Sequence, residues 1–291
     1  MENVSTMHIN EEIEINDSGY QRNIPLILGS GVSAPKNYIG LWPVVYAALE
    51  NGINGFDTAP SYQTEEELGR VIKDAIHVLG KNREDIFIQT KIDAWQMMDG
   101  RIDFYVDDAR KKLGIDYIDS VLIHWPIPEK VEDVWKALAR LKEEGIIKKI
   151  GICNVRMRQL SAMDCYDVVV PDIVQIERNP LRTCEKEVIY CLNRNIQIQA
   201  YSPLCKMHPL LRESNVIKVL SEKYNKTVGQ IILRWHIDTG VVPIFATTKE
   251  NRVKEYSEIF GFQLSREEII SISLLNQNYK MYLESCACPG F

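Results

Sequence analysis

From residue 24 onward the chain repeats a two-part rhythm. A short apolar run is followed by a longer stretch in which apolar residues recur every three or four positions. The first part reads as a buried strand and the second as an amphipathic helix. The apolar runs fall at residues 24–28, 55–57, 86–91, 120–124, 150–153, 173–176, 197–201 and 242–245. Helical periodicity follows at 41–51, 65–79, 103–113, 132–144, 157–163 and 184–194, then at 216–224 and 227–239 as a pair, and at 250–260. Stretch 65–79 places Leu68, Val71, Ile72, Ala75 and Ile76 on one face. The punctuation agrees. Pro43 stands in the first turn of its helix, where a missing amide costs nothing, and Gly52 and Gly145 stand where helices stop.

Strands that alternate with helices pair in parallel, because each helix carries the chain back to the start of the next strand. Eight such units within 291 residues fit a closed TIM-type (β/α)8 barrel, an α/β fold, better than an open sheet. Closure also leaves no bare sheet edge. Residues 7–21 alternate weakly around the turn Asn16-Asp17-Ser18-Gly19, which predicts a short N-terminal β-hairpin within residues 1–23. Residues 276–291 lack helical periodicity and are expected to wrap the surface as a C-terminal tail. The whole chain, 1–291, reads as a single domain.

One motif points elsewhere. Gly29-Ser30-Gly31-Val32-Ser33-Ala34 follows a strand and matches a dinucleotide fingerprint, with Glu50 roughly 20 residues further on. Such a loop must open a helix. Here Pro35 follows and disfavours helical backbone at Ala34. A glycine-bearing loop at a barrel mouth accounts for the same residues, and a doubly wound nucleotide domain is the weaker reading.

Composition narrows the function classes. Net charge is -6 and the basic residues are scattered among acids, so no basic stripe for nucleic acid stands out. No window reaches the ~18 apolar residues of a membrane span, and the polar, acidic residues 1–16 do not form a secretory signal. The odd count of seven cysteines suits reduced thiols and a cytoplasmic location. Cys286 and Cys288 are the only close pair and have no further ligands nearby, so no metal site is expected. A monomer or weak dimer is expected.

The candidate chemistry lies at strand ends. Asp57 closes its strand and Tyr62 follows in the loop, while Lys91 and His124 end the next two strands. Singly, each is an ordinary cap or packing residue. Together they sit at the same, C-terminal end of adjacent barrel strands, where active sites are built. An ammonium near a phenol stabilises the phenolate, and a carboxylate keeps that ammonium charged away from water. His124 can donate a hydrogen bond to a substrate oxygen. The set suits protonation of a carbonyl oxygen as its carbon receives hydride, which side chains cannot supply and a cofactor must.

The ordered segments Gly55-Phe56-Asp57-Thr58-Ala59 with Tyr62, Gln89-Thr90-Lys91, Leu122-Ile123-His124-Trp125-Pro126, Gly151-Ile152-Cys153-Asn154, Val174-Gln175-Ile176-Glu177 and Ala200-Tyr201-Ser202-Pro203-Leu204 make the chain resemble an aldo-keto reductase. The resemblance runs from about residue 26 to 255. It implies Tyr62 as proton donor, Lys91 and Asp57 as its tuning pair, and His124 as the group that positions the carbonyl. It implies NADP(H), with NAD(H) open, across the barrel mouth. Asn154 and Gln175 would bind the carboxamide, Tyr201 would stack on the nicotinamide, and Ser202 and Leu204 would line the pyrophosphate path. Trp125 would form one wall of the substrate pocket.

Two departures stand out. Cys153 takes the place of a serine that usually joins the carboxamide contacts, and Ala246 takes the place of a lysine that usually meets the 2′-phosphate. Thr247, Lys249 and Arg252 remain to hold a phosphate there, helped by a helix N-terminus. The partner implied is a small-molecule carbonyl substrate whose identity the loops would decide, at 34–41, 92–102, 125–131 and after 276. Trp95, with Met97, Met98 and Tyr105, is expected to add an apolar wall beside Trp125. The competing reading is a non-catalytic barrel that binds nucleotide as a sensor or regulatory subunit.

Overall fold

The computed structural model describes residues 25–31, 40–163 and 169–282. The expected hairpin at 1–23 and the pair Cys286 and Cys288 lie outside the described residues. Eight strands close into a parallel barrel in chain order: β1 Ile27–Gly29, β2 Gly55–Asp57, β3 Phe87–Ile92, β4 Ile118–Ile123, β5 Ile147–Cys153, β6 Ile173–Glu177, β7 Gln197–Tyr201 and β8 Val242–Phe245. β8 returns to pair with β1, so the doubly wound alternative is excluded. The register sets Gly29 beside Asp57, Asp57 beside Gln89, and Lys91 beside Leu122. The ends of β1 to β4 therefore open onto one mouth.

Helices cover the outside. They are α1 Trp42–Glu50, α2 Glu65–Leu79, α3 Ala94–Asp99, α4 Ile102–Leu113, α5 Pro128–Glu143, α6 Met157–Met163, α7 Glu185–Leu192, α8 Pro209–Arg212, α9 Asn215–Tyr224, α10 Val228–Asp238, α11 Glu250–Ser257 and α12 Arg266–Ser273. α2 buries Leu68, Val71, Ile72 and Ala75 and ends at Gly80 in the left-handed region, φ 63°, which glycine enters without a Cβ clash. Its Gly69 faces α4 closely: a Cβ there would lie 2.3 Å from the Leu113 carbonyl oxygen.

Three helices escape the periodicity. α3 and α8 are too short to show one. α12 buries only Ile272 completely and is defined by its Ser265–Glu268 capping box. Among the described residues no helix is long and apolar enough to cross a membrane.

The main core lies between sheet and helices, with Phe56, Ile88, Val121 and Ile150 fully buried there. The barrel interior is divided. Ile27, Val242 and Ile244 form one apolar cluster, and Leu122, Cys153 and Ile173 form another. Around Asp57 the interior is polar: Gln89, Lys91, Gln175 and Gln199 are all buried.

Candidate active site

A single 3₁₀ turn, Pro60–Tyr62, follows β2 and carries Tyr62 into the mouth. Pro60 presets the turn and Gln63 leaves it in the left-handed region, φ 57°. Gly31 makes room: a Cβ there would fall 2.8 Å from Tyr62 Cε2. The Tyr62 hydroxyl lies 3.5 Å from His124 Nε2, and the two rings meet edge to face at 5.7 Å.

Lys91 is 1% exposed. Its Nζ donates to Asp57 Oδ1 at 2.6 Å and to the Thr58 carbonyl at 2.9 Å. It also lies 5.0 Å from the centre of the Tyr62 ring. Asp57 Oδ2 accepts from Gln89 Nε2 at 2.7 Å and from Gln175 Nε2 at 3.1 Å. Both of those amides also donate to Gln199 Oε1, at 2.9 and 3.1 Å, and Gln199 Nε2 returns a bond to Gln89 Oε1 at 3.1 Å. A carboxylate only accepts, so Asp57 dictates which way each amide faces. Both N–H groups of Gln175 are thereby engaged, and its Oε1 is what it can offer to the cleft.

The charges follow from burial. Burial pushes the Tyr62 phenol up to about 12, against the downward pull of Lys91. The expected acidification is thus outweighed by burial, and the phenol holds its proton. Burial alone would discharge Lys91, but the Asp57 carboxylate reverses that and keeps the ammonium charged. Burial lowers His124 below its ordinary value, against the upward pull of Asp93.

Asp93 was not among the residues expected here. Its Oδ1 lies 2.5 Å from His124 Nδ1, and its Oδ2 accepts the Ser61 N–H at 2.7 Å. Burial alone would raise its carboxyl, but bonds from His124 and Ser61 hold it below the usual carboxylate range. The only sequence signal was an acid two positions beyond Lys91.

These groups open into a cleft of about 1130 Å³. Asp57, Tyr62, His124, Trp125, Asn154, Gln175, Tyr201, Ser202, Leu204, Thr247, Lys249 and Arg252 all line it. Asn154, in the left-handed region at φ 59°, donates to the His124 carbonyl at 2.9 Å and accepts from the Tyr201 hydroxyl at 2.7 Å. Arg252 Nη1 donates to both Glu255 carboxylate oxygens, at 2.9 and 2.7 Å, and Thr247 Oγ1 accepts the Lys249 N–H at 3.1 Å. Lys206 and Tyr282, neither foreseen, also line the cleft, with Lys206 Nζ 5.1 Å from the Tyr282 ring centre.

Trp95 does not join them. It is 56% exposed on α3 and packs edge-on against Tyr105 at 5.1 Å. Met97 is buried in the core and Met98 faces solvent. Cys153 is fully buried beside Leu122 and Ile173, so its thiol faces the barrel interior.

Residues 30–277 match the model of the aldo/keto reductase family. The chain belongs to the aldo/keto reductase family. It is 34% identical over 264 residues to methylglyoxal reductase DkgA of Escherichia coli K12, covering 87% of this chain and 94% of that one. It is 35% identical over 265 residues to glyoxal reductase of Bacillus subtilis, covering 87% and 93%. Among solved structures, the Bombyx mori aldo-keto reductase AKR2E4 in complex with NADP aligns with a TM-score of 0.79 at 30% identity, covering 90% of this chain and 92% of that one.

This aldo/keto reductase fastens residues 277–282 beside the mouth. The Glu177 carboxylate, 3% exposed at the end of β6, accepts the backbone N–H groups of Met281 at 2.7 Å and Tyr282 at 3.0 Å. The Leu181 carbonyl accepts two more, from Gln277 and Tyr279. Tyr282 is thereby held edge-on to Tyr201, ring centres 5.9 Å apart.

Proposed function

We propose that this protein reduces a small aldehyde or ketone to the alcohol at the expense of NADPH, with Tyr62 as the proton donor. The observation that carries the reading is the buried Lys91–Asp57 pair, 2.6 Å apart, set beneath a protonated phenol that faces a cleft. Asp57 keeps Lys91 charged, and Lys91 stabilises the phenolate that forms when Tyr62 gives up its proton.

The cleft suits a dinucleotide. Asn154 retains an N–H and Gln175 retains Oε1 once their protein partners are counted, which complements the carbonyl and amino groups of a carboxamide. The Tyr201 ring lies beside them. Lys206, Lys249 and Arg252 supply positive charge for phosphates in a chain of net charge -6. When bound, the reduced nicotinamide supplies the hydride. Tyr62 and His124 hold the carbonyl oxygen, and Trp125 supplies an apolar wall. The same reading treats the chain as a single cytoplasmic domain, a monomer or weak dimer that works on small molecules rather than nucleic acid or membrane.

The test is NADPH oxidation followed by absorbance with methylglyoxal, glyoxal and larger aldehydes and ketones. Turnover is expected with at least one of them. Tyr62→Phe should lose at least about a hundredfold in turnover while binding NADPH normally. Tight nucleotide binding without turnover of any carbonyl would overturn the enzyme reading in favour of a sensor.

A further inference from the structure

We propose that Asp93 is a positioning residue that locks His124 as the Nδ1–H tautomer, so that Nε2 faces Tyr62 as a proton acceptor rather than as a fixed donor. The proposal rests on Tyr62 being the proton donor, and it changes what His124 does for it.

The argument is geometric. Asp93 is clamped from several sides. Its Oδ2 accepts the Ser61 N–H at 2.7 Å, and its Oδ1 receives the Ser61 hydroxyl at 3.3 Å. Its own backbone N–H donates to Gln96 Oε1 at 2.9 Å, within the capping box of α3. The side chain is 7% exposed, so no water competes freely for it. Its Oδ1 then faces His124 Nδ1 at 2.5 Å. An ionised carboxylate has no proton to offer, so Nδ1 carries the hydrogen. A neutral imidazole has only one N–H, which leaves Nε2 bare, and Nε2 is the atom that faces the Tyr62 hydroxyl at 3.5 Å.

The consequence concerns the carbonyl. A carbonyl oxygen brings lone pairs and no proton, so it gains nothing from a bare Nε2. His124 helps reduction only after taking up a second proton, and Asp93 is the counter-charge for that imidazolium. The other groups facing it do not substitute. Lys91 and Asp57 neutralise each other across 2.6 Å. Tyr62 and, on β5, the buried Cys153 both hold their protons.

The proton balance follows. The Tyr62 O–H bond breaks as the alcohol O–H bond forms, while the carbonyl carbon gains hydride from the reduced nicotinamide. The phenolate takes the Nε2 proton of the imidazolium, which returns to the Nδ1–H form. Solvent recharges it, so one proton is consumed per carbonyl reduced. In the reverse direction Tyr62 hands its proton to the bare Nε2 and its phenolate takes the proton of the alcohol.

Nitrogen-15 NMR of the His124 ring in the wild-type protein reads the tautomer directly. The proton is expected on Nδ1, and a neutral ring carrying it on Nε2 would overturn the proposal. Asp93→Asn gives the second reading. One amide oxygen cannot accept from both His124 Nδ1–H and Ser61 N–H, so the tautomer lock is lost. Turnover in reduction should fall at least about tenfold. The pH above which reduction declines should move down by about one unit, since a facing carboxylate raises an imidazolium. NADPH affinity should stay within about twofold, as a check on folding. An unchanged pH profile in Asp93→Asn would overturn the proposal. Full activity in Tyr62→Phe would instead remove the proton-donor reading and leave the tautomer result standing.

Discussion

Lys91 and Asp57 form an ion pair 2.6 Å long with side chains 0% and 5% exposed. Removing one partner strands the other charge in the barrel, a loss of roughly 3–5 kcal/mol for buried pairs. Lys91→Met should therefore lower the urea midpoint strongly as well as abolish turnover. Lys91→Met combined with Asp57→Leu should be less destabilised than the sum of the two single changes. Additive losses would mean that the pair is not coupled.

Gly31 bears on catalysis through shape alone. A Cβ there would sit 2.8 Å from Tyr62 Cε2, closer than real contacts allow. Gly31→Ala should push the ring aside and cut turnover about tenfold or more, because misplacement of a reacting group by about 1 Å can cost a hundredfold. Thermal stability should barely change, since Gly31 is exposed. Wild-type kinetics in Gly31→Ala would show that the ring adapts.

The Tyr62 value gives a pH prediction with a definite sign. Burial holds the phenol at about 12 against an ordinary 10. Reduction needs the protonated form, so Tyr62 imposes no loss on reduction up to pH 10. Alcohol oxidation passes the Tyr62 proton to the bare Nε2 of neutral His124, so its kcat/KM should level off once His124 is neutral. A rise continuing past pH 10 would mean that Tyr62 must first lose its proton to solvent.

Arg252 faces the cleft and is paired with Glu255 through Nη1 alone. Arg252→Ala should raise the NADPH dissociation constant several-fold more than that of NADH, read by fluorescence titration. Equal effects on both would remove Arg252 from the 2′-phosphate. The pair itself is about half exposed on the arginine side, so stability should change little.

The barrel was legible because eight apolar runs alternate with amphipathic stretches, and strand β7 and helices α2 and α6 fall on the expected residues. The gathering of Asp57, Tyr62, Lys91 and His124 was legible because strand ends in a barrel share one mouth. Asp93 was not, since the loop that follows β3 had no periodicity to place it, and its role depends on a residue 31 positions away. Gln89 and Gln199, amides in the middle of two buried strands, were a signal that went unread. Trp95 was expected in the pocket on chemistry alone. The capping box that begins α3 sets a turn of helix there, and that turn points the indole outward.

Glu177 grips main-chain amides rather than side chains at positions 281 and 282. The identity of those two residues is therefore free to drift, provided neither becomes proline, which lacks the N–H that is gripped. Tail exchanges among related barrels that respect this single prohibition would repaint the wall opposite Tyr201 without unfastening it.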